Sequence, residues 1–109
     1  MSEAYDFRDV MRSADKSTLM RAYKICALCN NVISQLLAGK FEITREHFLD
    51  CVDCVRNYPS IDISTAIHGT EEDKYKYLAE RHFYLCSKVL LYVYFKDRGG
   101  MMLCTKSSI

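Results

Sequence analysis

The stretch Thr70–Asp97, TEEDKYKYLAERHFYLCSKVLLYVYFKD, decides the fold class. Thr70 followed three positions later by Asp73 is an N-cap pair, and Glu71, Glu72 and Asp73 put carboxylates at the positive end of a helix dipole. Lys96 and Arg98 complement the other end, and Gly99-Gly100 terminates the run, so the stretch predicts a helix over residues 71–97. At about 100° per residue, Tyr75, Leu78, His82, Leu85, Cys86, Val89 and Val93 form one broad apolar arc. Tyr77, Tyr84, Leu91 and Phe95 form a second stripe, about 120° or more away. A helix that is apolar on two sides is either central in its own bundle or part of a subunit interface. The remaining sequence supplies only two other substantial helices, which favours the interface and makes Tyr77, Tyr84, Leu91 and Phe95 the expected contact.

Working outward, Asp15 and Ser17 can start a helix from about residue 18 to Ala38, and Gly39 supplies a left-handed stop after it. Leu19, Ala22, Cys26, Cys29, Ile33 and Leu36 follow each other at steps of three and four, forming one apolar seam. Ile25, Leu28 and Val32 widen that seam, which predicts a mostly buried helix. Thr44 is the expected N-cap of a third helix reaching about Asn57, with Ile43 and Phe48 at the spacing of a hydrophobic staple. Pro59 stops that helix and restricts Tyr58 before it. Asp62 and Ser64 as caps and Gly69 as a stop predict a turn or two of helix over residues 60–69. Ser2 can cap a first short helix over residues 3–13, with Phe7, Val10, Met11 and Ala14 inward. No repeat and no strand pair stands out. The fold class is therefore all-α, a small bundle of about four to five helices, with one domain over residues 1–100 and a short tail over 101–109.

The composition restricts function as much as fold. Half of the 109 residues are hydrophobic and 27% are charged, which describes an ordinary globular domain. A net charge of +1 excludes a polybasic nucleic-acid arm or an acidic tail as the main feature, and makes nucleic acid an unlikely partner. The longest apolar run, Val89–Phe95, falls well short of the roughly 20 residues that a spanning helix needs, so no membrane is expected. The N-terminus lacks a basic region followed by an apolar run, so no secretory signal is expected either. A cytoplasmic or nuclear setting follows, in which the six cysteines stay reduced.

Cys26-Ala27-Leu28-Cys29 and Cys51-Val52-Asp53-Cys54 form two C-x-x-C units. Four thiolates at such spacings can close a zinc tetrahedron. Both units fall inside predicted helices, however, where cysteines are commonly small buried side chains. The expected state is buried thiols with no cofactor; zinc held by Cys26, Cys29, Cys51 and Cys54 is one alternative, and redox-regulated thiols are another. If residues 39–44 are the turn of a helical hairpin, Cys29 lies nearly opposite Cys54.

His82 lies on the apolar arc of the last helix and reads as a core histidine, whereas His47 beside a helix cap faces solvent. No nucleophile stands at a local spacing from a base and no Gly-rich phosphate loop exists, so no enzyme and no catalytic residue are expected. Arg8, Arg12, Lys16, Arg21 and Lys24 enrich the first third in positive charge, while Glu42, Glu46, Asp50 and Asp53 form an acidic stripe on the third helix. These are either solvated faces or opposite-sign patches that steer docking.

Ile43-Thr44-Arg45-Glu46-His47-Phe48 resembles the junction before the third helix in histone-fold transcription factors, and the short–long–short helix order is similar to that family as well. That resemblance implies a DNA-associated protein. The residues themselves lead to a small helical interaction and regulatory module that binds itself and another protein, a makeup that suits a viral accessory protein.

Overall fold

The structure, a computed structural model, describes residues 5–99. Five α-helices follow in order: α1 (Phe7–Ser13), α2 (Lys16–Leu37), α3 (Arg45–Arg56), α4 (Ile63–His68) and α5 (Glu71–Tyr94). A π-helical turn, Phe95–Gly99, continues α5. The described residues contain no strand, and the all-α expectation holds. The expected tail over 101–109 lies outside the described residues.

Local chemistry sets most of the boundaries. Thr44 caps α3 by accepting from the His47 N–H at 3.1 Å, and Thr70 caps α5 by accepting from the Asp73 N–H at the same distance. In each case the third helical residue returns the bond to the cap N–H, which closes a capping box. Asp62 caps α4, and Gly39 ends the α2 segment at φ +76°, where a residue with a Cβ is strained. Gly69 has a different reason to be glycine. Its φ of −94° suits any residue, but a Cβ there would lie 2.6 Å from the Thr65 carbonyl oxygen and against the Asp73 carboxylate.

Two helix starts differ from the sequence reading. α1 begins at Phe7, and Asp6 caps it instead of Ser2, which lies outside the described residues. α2 begins at Lys16, and the Asp15 side chain makes no capping bond. Glu71 of α5 does the capping instead. Its carboxylate accepts from the Asp15 N–H at 2.8 Å and from the Thr18 hydroxyl at 2.6 Å. Negative charge at a helix N-terminus is favourable whichever segment supplies it.

That contact also fixes topology. Glu71 sits at the start of α2, Cys29 meets His82 and Cys86, and Leu36 packs with Val93 and Tyr94, so α2 and α5 run parallel. α3 runs antiparallel to α5: Phe48 stacks on Tyr94 with ring centroids 4.4 Å apart, and Tyr58, just beyond α3, stacks on Tyr84 at 4.0 Å. α5 is thus the centre, with α2 on one flank and α3 on another. α1 and α4 close only the N-terminal half of α5, around Val10, Ala22, Ala66, Tyr77 and Leu78. A second core, Ile43, Cys51 and Leu90, joins α3 to the C-terminal half.

Three expectations change as a result. α2 and α3 are not a closed hairpin, because α5 lies between them, so Cys29 faces Cys86 and not Cys54. α2 is buried along one seam only, at Thr18, Ala22 and Cys29, and Leu28 is 53% exposed. The short–long–short run of α1, α2 and α3 does not form a unit of its own, since the long helix that α3 packs on is α5.

Candidate functional site

The stripe expected at a subunit contact is largely occupied from within the chain. Tyr77 is only 7% exposed, in the core beneath α1 and α4. Burial, followed by the charge of nearby Tyr58, pushes its pKa up to about 12. Tyr84 lies under the Tyr58 ring and Leu91 packs on the α3 core, both half-buried. Phe95 meets Phe48 edge-on at 5.5 Å and remains half exposed. The stripe is where α3 and the residues after it land, so the two-sided apolar character of α5 reflects its central position.

One strip of exposed apolar side chains lies on a different side of α5. Leu85, Val89 and Tyr92 follow at helical spacing and are 42, 38 and 66% exposed. Leu85 and Val89 belong to the arc that the sequence placed inward. Among the described residues nothing covers them, because α1 is only two turns long and meets α5 at Tyr77, Leu78 and Arg81. Toward the N-terminal half this strip runs into a groove of about 630 Å³ between α1, α2 and α5. Met11, Leu19, Met20, Tyr23, Leu78 and His82 line it, and its charged lining is entirely basic: Lys16, Lys24 and Arg81. Methionine suits such a groove because its unbranched, polarisable side chain adapts to varied shapes. Arg81 stacks on the Phe7 ring at 3.7 Å, holding α1 against α5 at the edge of the groove. His82 is half-buried there, and burial first, then Arg81, depresses its pKa. It is a histidine in a partly apolar setting, as the sequence suggested.

The cysteines divide by helix face. Cys29 and Cys51 are buried against α5, Cys86 is half-buried between Cys29 and the α3 core, and Cys26 and Cys54 are half-exposed on α2 and α3. Burial pushes the thiols of Cys29 and Cys51 up, and that of Cys86 up to about 12 with Cys29 adding to the effect. Among the described residues, no group of three or more His, Cys, Asp or Glu side chains could hold a metal ion, so Cys26, Cys29, Cys51 and Cys54 are not brought together as a zinc set. No described helix is long and apolar enough to cross a membrane.

No protein-family model matches the chain, and no curated protein or solved structure matches it.

Proposed function

We propose that this chain is a non-catalytic helical interaction module that self-associates through the exposed apolar face of α2 and α5. One observation carries this reading: Leu85, Val89 and Tyr92 form an exposed strip continuous with a 630 Å³ apolar groove. Contiguous apolar surface of this kind marks an interaction site far more often than bare solvent-facing surface. Tyr23, which lines the same groove, is 71% exposed, and tyrosines suit such contacts because the ring is buried while the hydroxyl stays hydrated at the rim.

A twofold contact buries the same patch on both copies, so one substitution acts twice per dimer. It also brings two basic rims together. Self-association through this face therefore strengthens with added salt, which screens the repulsion without weakening apolar burial. The test is sedimentation of Val89→Asp against Leu91→Asp. Val89→Asp gives a folded monomer, because Val89 touches solvent in the single chain. Leu91→Asp destabilises the fold itself, because Leu91 packs on the α3 core. A Val89→Asp chain that keeps the wild-type mass refutes the reading.

A further inference from the structure

A second surface, on the opposite side of α5, has different chemistry. α2 and α3 flank α5 without closing over it, which leaves a trough floored by Ala79, Phe83, Ser87 and Leu90. Two hollows of about 680 and 300 Å³ make up the trough and share Asp50, Cys51, Phe83 and Ser87. From Ala79 to Leu90 the floor spans about 17 Å of helix axis, room for about three turns of another helix. The floor is apolar at its exposed points: Phe83 is 40% exposed, and Leu28 on the α2 wall is 53% exposed.

The α3 wall carries the charge. Asp50 and Asp53 are exposed and line the trough; helical spacing puts exposed Glu46 one turn before Asp50 and sends Arg45 and Arg56 to the far side of α3. Among the described residues, none of these three carboxylates is in an ion pair. Of the other charged side chains lining the trough, Glu80 accepts from the Ser60 N–H at 2.8 Å, and Lys76 stands at that same end. The trough is thus a slot with an acidic α3 wall and, in its smaller hollow, an uncharged α2 wall of Leu28 and Val32 facing it. Phosphate backbones are repelled by such a wall.

We propose that this trough docks an amphipathic helix of another protein, apolar on the face that meets Phe83 and Leu90 and basic on the edge that meets Glu46, Asp50 and Asp53. The helix takes the seat of a missing bundle helix: its apolar residues fill the slot, and its Lys or Arg side chains pair with the unpartnered carboxylates at the rim. The proposal does not depend on self-association through the opposite face.

The probe is a fluorescent helical peptide of about 14 residues, with leucines at positions i, i+4, i+7 and i+11 and lysines beside them. Two controls accompany it: one with glutamate for lysine, and one with serine for leucine. Anisotropy titrations use the full-length reduced chain. The lysine–leucine peptide binds, weakens as salt is added, and binds about tenfold more weakly to Asp50→Lys/Asp53→Lys, whose two changes are at exposed positions that leave the thermal melt in place. Phe83→Ser weakens binding as well, whereas Val89→Asp leaves it unchanged. The proposal is overturned if the glutamate peptide binds as well, if the serine peptide binds as well, or if the double reversal has no effect. It also fails if Asp50→Lys/Asp53→Lys alters the sedimentation mass of the chain alone, because the occupant is then a second copy.

Discussion

Replacing Lys74 with methionine tests how the short helix α4 is held. Lys74 is only 5% exposed, and its ammonium donates to the carbonyl oxygens of Ile67 at 3.0 Å and Gly69 at 2.9 Å. These carbonyls lie at the C-terminal end of α4, where a helix has no partners of its own and favours positive charge. Two charge-assisted bonds are worth about 1.5–3 kcal/mol each. Part of that returns in the variant, because methionine brings no ammonium to desolvate and the carbonyl of exposed Gly69 can regain water. A net loss of about 2 kcal/mol is expected. With a urea dependence of about 1.5 kcal/mol per molar, the unfolding midpoint falls by about 1.3 M. Lys76→Met is the control, since Lys76 is exposed, and it should stay within about 0.5 kcal/mol of wild type. Equal midpoints for Lys74→Met and Lys76→Met in urea unfolding followed by circular dichroism would refute the role of the buried ammonium.

Two further predictions follow from titrating groups. His82 has a folded pKa depressed below the unfolded value of about 6.5, so the unfolded chain binds the proton first. Thermal stability therefore falls as pH drops from about 7 through that value, and His82→Leu flattens the decline. A second loss, as pH falls through the carboxylate range, comes from Glu71 and Asp6, whose pKa values are lowered by the Thr18 hydroxyl and by Arg8 respectively. For the thiols, alkylation of the reduced chain at about pH 8 should leave Cys86 almost untouched until urea unfolds it, since its pKa of about 12 keeps it protonated. Equal labelling of native and unfolded chains at Cys86, read by peptide mass, contradicts that burial.

The helices were legible because their punctuation is local. Thr44, Asp62, Thr70 and Gly39 act within a few residues of themselves and stand at or next to an observed boundary, and Pro59 follows the last residue of α3 by three positions. The start of α2 was not legible in the same way, because the group capping it, Glu71, is far away in sequence. The surfaces were harder still. Both apolar sides of α5 were visible, but periodicity cannot tell which side other helices of the same chain will cover. The outcome turned on where α3 lands and on the length of α1. α1 and α4 cover Tyr77, and α3 and Tyr58 cover Tyr84 and Leu91, while two-turn α1 leaves Leu85 and Val89 open. Those two residues looked like core from their spacing, and only the shortage of helices hinted that some of α5 would remain uncovered. The acidic stripe on α3 was readable, but the trough beside it needed the position of α5.

The mass of the reduced wild-type chain in solution tests self-association most directly. Sedimentation equilibrium at tens of micromolar should give at least twice the 12.7 kDa of one chain, with the associated fraction rising as salt is added. A mass of 12.7 kDa at every concentration and salt level would contradict the account and leave the Leu85–Val89–Tyr92 face without a second copy to cover it.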